Sequence, residues 1–293
     1  MAFWQLTVPA GPATAEGLTN FLWEQGALGV VEEEAPDAPP RVRAFFSDGA
    51  SSTELVASTR AYLSELRALG FETARGEVEI APLAEEAWAS AWQQSFPPRA
   101  VGRRLWVRPP WERDDAPGRQ TVVIAPARAF GTGHHGSTEG CLALLDDAIG
   151  DRPPATMLDV GTGTGILSIA AIKLGVPRVL GVDIDPDAVT AARENARLNG
   201  CGGRFEALLA GPELLHDRPP FVLVVANILA HSHVALAPRY GRLVATGGRL
   251  ILGGMLEGED GPVTAAAAAA GFHPADRVAV DGWSSLGFRK AAP

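Results

Sequence analysis

The spacing of hydrophobic and polar positions divides the chain into three stretches. Over the first 84 residues, short strand-like runs alternate with two amphipathic segments. Phe3 to Val8 has strand composition, and Ala13 to Gln25 sets Leu18, Phe21 and Leu22 at helical spacing before Gly26 stops it. Ala27 to Val31 is apolar and ends in β-branched residues, and Arg41 to Phe46 alternates charged and apolar positions until Phe45. Ser51 to Leu69 predicts a second helix, capped by Ser51 or Ser52, with Leu55, Ala57, Tyr62, Leu63 and Leu66 along it and Gly70 closing it. Glu77 to Ile80 alternates again. The predicted order β-α-β-β-α-β is that of a small α+β ferredoxin-like domain over residues 1–84. Glu32 to Pro40, with prolines at 36, 39 and 40, reads as the loop between its central strands.

Residues 85–119 read as a connector. Trp88, Trp92 and Phe96 recur every four positions on a predicted helix that Pro97-Pro98 ends, a stripe read as packing. Arg104 to Arg108 reads as extended, Pro109-Pro110-Trp111 as a turn, and Arg113 to Gly118 as an exposed polar loop. From Gln120 to the end, strands and helices alternate, the pattern of an α/β domain with a mainly parallel sheet. Met157 to Val160, Arg178 to Val182, Phe221 to Val225 and Arg249 to Gly253 are its predicted strands, with Ile166 to Leu174 and Pro186 to Asn199 as helices. Asp276 to Val280 and Ser285 to Arg289 pair as a hairpin across Asp281-Gly282, and Ala265 to Ala270 falls in a further helix.

Composition narrows the class. Of 293 residues, 46% are hydrophobic and 20% charged, ordinary proportions for a globular protein. The opening Met-Ala-Phe-Trp-Gln lacks a basic region and meets Pro9 early, so no secretory leader is expected. No long uncharged apolar run predicts a membrane span. The two cysteines, Cys141 and Cys201, stand far apart without a CxxC partner, so neither a disulfide framework nor a zinc site is expected and the setting is read as cytoplasmic. The net charge of −9 is uneven: the first 100 residues hold fourteen acids against six arginines and no lysine. That asymmetry suggests a basic protein partner, against a purely solubilising acidic surface, and disfavours direct nucleic-acid binding.

The strongest local motif is Leu158-Asp159-Val160-Gly161-Thr162-Gly163-Thr164-Gly165. A strand enters a glycine-rich turn and then a helix, and the glycines let a ligand approach the backbone. Asp183 ends the next strand about 20 residues on, where a carboxylate accepts the ribose hydroxyls of a nucleoside. The dinucleotide spacing G-x-G-x-x-G requires glycine at position 166, which is Ile; the third glycine is at 165, and no nearby Arg or Lys serves a pyrophosphate. The G-x-G-x-G spacing after Asp159 instead resembles the first motif of class I methyltransferases, which implies an adenosyl methyl donor over a dinucleotide. Two flanking segments add to this: Ala129-Phe130-Gly131-Thr132-Gly133-His134-His135-Gly136-Ser137-Thr138, and Val224-Val225-Ala226-Asn227-Ile228-Leu229 at the end of a strand. The amide oxygen of Asn227 can accept a hydrogen bond from an amine and orient its lone pair. His134 and His135 are candidates to take its proton or to shape the loop, Asp159 is read as bracing the turn, and Asp185-Pro186 as capping the next helix. The remaining histidines, His216, His231, His233 and His273, read as surface or loop residues.

These segments, with Trp88-x-x-x-Trp92, Pro109-Pro110-Trp111-Glu112 and Gly181-Val182-Asp183-Ile184-Asp185-Pro186, resemble the PrmA family, the methyltransferases of ribosomal protein L11, over almost the whole chain. The resemblance implies a class I, Rossmann-like catalytic domain that uses S-adenosyl-L-methionine. It also implies a small N-terminal domain that grips L11, and a monomer. It further implies methylation of lysine side chains, the N-terminal α-amine, or both. By resemblance Thr138, Gly161, Gly163, Asp183 and Asn227 contact the cofactor, and Asn227 is also catalytic. In the loop, Gly136-Ser137 departs from the usual Pro or acid followed by Thr, while Ser137 keeps a hydroxyl. Two other readings stand beside this one: a methyltransferase of another amine, and a non-catalytic module that binds the adenosyl ligand. Ile228-Leu229-Ala230 after Asn227 argues against the planar-nitrogen methyltransferases, which carry Pro-Pro-aromatic there.

Overall fold

A computed structural model describes residues 2–11, 14–35, 38–47, 49–73, 76–84, 96–125 and 135–291. The Trp88/Trp92 stripe and the glycine-rich loop from Ala129 to His134 lie outside the described residues. The chain folds as two compact units, Met1–Ser95 and Phe96–Pro293.

The first unit runs β1 (Ala2–Pro9), α1 (Ala15–Glu24), β2 (Gly29–Ala35), β3 (Ala38–Ser47), α2 (Ser52–Ala68) and β4 (Glu79–Ala84). The strands form an antiparallel sheet in the order β2-β3-β1-β4, the connectivity of a split β-α-β unit. Alternation along β1 and β3 turns Leu6, Val8, Val42, Ala44 and Phe46 into one core with Leu18, Leu22, Leu55 and Leu63 of the helices. Burying each such leucine contributes about 1.5–3 kcal/mol. Ser51 caps α2, its hydroxyl accepting from the Glu54 N–H at 3.3 Å. One expectation is corrected here. Glu32 to Pro40 is no loop but the tip of a long hairpin, with β2 reaching Ala35 and β3 starting at Ala38. The ladder shifts register between Glu33 and Ala35, and Pro40, past the end of pairing with β1 at Arg41, needs no N–H there, since it is its carbonyl that accepts the Ala10 N–H at 2.9 Å.

The second unit begins earlier than the expected boundary at residue 120. Phe96 is buried, and β5 (Arg99–Val101), β6 (Leu105–Arg108) and β7 (Gln120–Val123) form one small sheet, so residues 96–119 pack with this unit. There follow α3 (Gly136–Ile149), β8 (Met157–Val160), α4 (Ile166–Lys173), β9 (Val179–Asp183), α5 (Pro186–Leu198), β10 (Phe205–Leu209), β11 (Phe221–Asn227), α6 (Ala230–Leu243), β12 (Val244–Leu256), α7 (Asp260–Ala269), β13 (Phe272–Val280) and β14 (Trp283–Lys290). Seven strands make one sheet in the order β10-β9-β8-β11-β12-β14-β13. All pairings up to β12 are parallel, and the last two are antiparallel. The chain leaves β8 on one side toward β9 and later re-enters on the other through β11, so the strand order reverses at β8. The carboxyl ends of the strands at such a reversal are the usual ligand position of open sheets. Two apolar layers cover the faces, one built on α3, α4 and α5 and one on α6 and α7. Among the described residues no helix is long and apolar enough to cross a membrane.

Candidate active site

The glycine turn after β8 is shaped by its backbone. Gly161, Gly163 and Gly165 have φ of 72°, 52° and 81°, left-handed values that other residues reach only with strain. A Cβ on Gly161 would lie 2.6 Å from Ile228 Cγ2, so the turn packs directly against the segment that follows β11. The N–H groups of Gly161 and Thr162 both donate to the Val182 carbonyl, which ties the turn to β9. Asp159 braces it from beneath. Its Oδ2 accepts from Thr162 Oγ1 at 2.8 Å and from Ser168 Oγ at 2.7 Å, whereas its Oδ1 is buried with no hydrogen-bond partner. Burial pushes the Asp159 carboxyl up to about 6, opposed by the two hydroxyls.

Asp183 closes the next side of the crevice. Its Oδ2 accepts from the Gly163 N–H at 2.9 Å and its Oδ1 from the Asp185 N–H at 3.1 Å. Each carboxylate oxygen keeps a further lone pair, enough to receive two vicinal hydroxyls. Asp185 caps α5, accepting from the Asp187 N–H at 2.8 Å, with Pro186 at the first helical position. Between these acids Ile184 is 80% exposed, an isolated apolar side chain beside a polar cradle. Sequence reading passed over it. The signal was there, as one aliphatic residue in an otherwise acidic strand-to-helix turn, a place suited to the flat apolar face of a base.

The opposite side is made by α3 and β11. Thr138 is fully buried in the first turn of α3, and its hydroxyl oxygen lies 3.3 Å from Asn227 Nδ2, which donates to it. That bond fixes the carboxamide and leaves Asn227 Oδ1 as a buried acceptor without a partner among the described residues. Thus Gly161, Gly163 and Asp183 form one linked group, and Thr138 and Asn227 another. The contact between Gly161 and Ile228 joins the two groups.

His135 is placed at the start of α3. Its ring lies 4.3 Å from that of Trp283, and Nδ1 meets Ser137 Oγ at 2.8 Å. Burial holds its pKa down at about 4. The neutral ring packs at the start of α3. His134 lies outside the described residues. His233, read from sequence as a surface or loop residue, is instead buried: its Nε2 is 2.7 Å from the Gly253 carbonyl and its Nδ1 is 3.2 Å from the Tyr240 hydroxyl. The reading missed it because a polar residue within a helix gives no sign in sequence that it is turned inward, and its two partners lie 7 and 20 residues away.

A family profile described as ribosomal protein L11 methyltransferase (PrmA) matches residues 2–291. The chain belongs to this family. Among relatives of the L11 methyltransferase family, the protein of that name from Azotobacter vinelandii is 37% identical over 296 residues, covering 97% of both chains. The one from Pelotomaculum thermopropionicum is 33% identical over 315 residues and covers both chains in full. The crystal structure of a ribosomal protein L11 methylase from Lactobacillus delbrueckii subsp. bulgaricus matches with a TM-score of 0.59 at 32% identity. It covers 66% of this chain and 98% of that one. Membership agrees with the Rossmann-like class I methyltransferase fold expected from the glycine turn and the β-α alternation.

Proposed function

We propose that this methyltransferase moves a methyl group from S-adenosyl-L-methionine to amino groups of ribosomal protein L11. The acceptors are lysine side chains, the N-terminal α-amine, or both, and the reaction takes place in the cytoplasm. The observation that carries the reading is the orphaned Asn227 Oδ1. A buried amide oxygen without a hydrogen bond costs about 1–3 kcal/mol. An amine N–H supplied by a substrate removes that cost.

The residues present fit the proposed cofactor. The left-handed turn at Gly161 and Gly163 leaves the backbone bare, Asp183 offers two free lone pairs for ribose hydroxyls, and Thr138 lines the crevice beside Asn227. When bound, this cofactor supplies an electrophilic sulfonium methyl. The protein's part is to place the acceptor nitrogen in line with it and keep water out. A lysine amine, with an ordinary pKa of about 10.4, is protonated at neutral pH and cannot attack. A poorly hydrated crevice lowers that value. Asn227 then receives an N–H of the neutral amine and points its lone pair away from the amide, toward the donor. The first unit is the proposed gripping surface for L11, a role supported by its acidic surplus.

The test is methyl transfer from labelled S-adenosylmethionine to purified L11, with the modified positions mapped by mass. Label on lysine or α-amino nitrogens, lost in Asn227→Ala, is the expected result. Label confined to other atom types, or undiminished in Asn227→Ala, overturns the reading.

A further inference from the structure

The carbonyl of Gly253 meets two donors, the Ile228 N–H and His233 Nε2. In the sheet, Gly253 is the register partner of Asn227, and its oxygen accepts the Ile228 N–H at 3.1 Å. A Cβ at this position would lie 2.3 Å from Cys141 Sγ, 3.0 Å from Ser285 Oγ and 3.1 Å from Asn227 Oδ1. The next residue, Gly254, is left-handed (φ 81°), and a Cβ there would lie 2.5 Å from the Ile228 carbonyl oxygen. This strand end is therefore wedged bare backbone against the Asn227-Ile228 shelf, and its position sets that of the carboxamide.

His233 holds the wedge from the other face. A carbonyl only accepts, so the 2.7 Å contact with Gly253 oxygen places the imidazole proton on Nε2. Nδ1 is left to accept, and the Tyr240 hydroxyl donates to it across 3.2 Å. Both groups are fully enclosed. Burial keeps His233 neutral, with its pKa down at about 4, so the ring has one proton and the Gly253 carbonyl, which can only accept, decides that Nε2 carries it.

We propose that His233 is a positioning residue for methyl transfer: through the Gly253 carbonyl it fixes the Asn227 shelf against which the acceptor amine is aligned. The inference rests on the assignment of Asn227 to that amine. Misplacing a reacting group by about 1 Å costs up to about 100-fold in rate. Among the described residues no hydrogen bond joins His233 to the glycine turn or to Asp183, so its loss is expected to act first on alignment of the acceptor.

The experiment compares His233→Leu, His233→Gln and Asn227→Ala, alone and with His233→Leu and Asn227→Ala combined, normalised to folded protein by circular dichroism. Calorimetry gives the S-adenosylmethionine dissociation constant, and steady-state methylation of L11 gives kcat and KM. His233→Leu is expected to lower kcat about 10- to 100-fold while the dissociation constant stays within about twofold. His233→Gln, whose amide again donates to the carbonyl, recovers a substantial part. The double variant loses no more than Asn227→Ala. Wild-type kcat in folded His233→Leu, or a Gln variant no better than Leu, overturns the proposal. Full transfer by Asn227→Ala overturns instead the acceptor assignment on which it stands, and the two failures are told apart by that one variant.

Discussion

Asp159, one residue before the end of β8, has one carboxylate oxygen taking two hydroxyl hydrogen bonds and the other taking none among the described residues, in a fully buried site. An unfolded aspartate titrates near 3.9, and burial raises the folded value to about 6. The native state thus holds its proton longer than the unfolded chain. The linked stabilisation is fully present below about pH 4 and is lost as pH rises through about 6. Asp159→Asn keeps an oxygen to accept both hydroxyls and removes the charge. It is expected to be more stable than the parent by about 1–3 kcal/mol at pH 7.5. The gap should close toward pH 4, read from urea midpoints across that range. A difference that does not change with pH would mean that the carboxyl is ionised at no such cost. The residues of this site were unevenly legible. Gly161, Gly163 and Asp183 stood out because a backbone turn and a strand-end acid have fixed spacing in sequence. His233 did not, since its two partners lie 7 and 20 residues away and only the packing of α6 on β12 brings them together.

At the level of elements, two asparagines hold the crevice from outside. Asn195 of α5, nearly fully buried, accepts from the Ala125 N–H at 2.9 Å and donates to the Thr164 carbonyl at 3.0 Å. One turn on, Asn199 accepts from the Val123 N–H at 2.9 Å and donates to the Val123 carbonyl at 2.6 Å. Together they stitch the end of β7 to α5, and Asn195 also ties it to the glycine turn. Asn195→Ala removes the hydrogen bonds to the Ala125 N–H and the Thr164 carbonyl. It is expected to cost about 2–4 kcal/mol, and to weaken S-adenosylmethionine binding through the loosened turn. Chemical unfolding and calorimetry measure the two effects, and unchanged values of both would show that water replaces the clasp freely. None of this was visible in sequence, where both asparagines look like the polar end of an amphipathic helix. The central strands and α5 were legible because a buried parallel sheet demands continuous apolar runs and a capped helix demands Asp185-Pro186. The β2–β3 tip was not, because proline content outweighs a ladder that shifts register and needs no N–H there.

Across the whole chain, the separation of charge is the feature that bears on partner choice. The first 100 residues carry fourteen acids against six arginines, and the remaining residues are close to neutral. Glu65, Glu72, Glu77 and Glu79 are all exposed on the first unit. Exposed charges interact over a screening length of about 10 Å at 0.1 M salt and about 3 Å at 1 M. Capture of a basic protein by this unit should therefore weaken with ionic strength, while cofactor binding, set by enclosed hydrogen bonds, should not. KM for L11 is expected to rise roughly tenfold between 50 and 500 mM salt, with the S-adenosylmethionine dissociation constant little changed. The combined variant with glutamine at positions 65, 72, 77 and 79 should start from a higher KM and show a shallower salt dependence at unaltered kcat. Steering by charge acts on encounter, and once the amine has entered the crevice the four side chains are remote in function from the Asn227 shelf. A salt dependence that stays as steep in the variant would move the recognition of L11 away from these acids, and equal salt sensitivity of cofactor binding would trace it to the second unit.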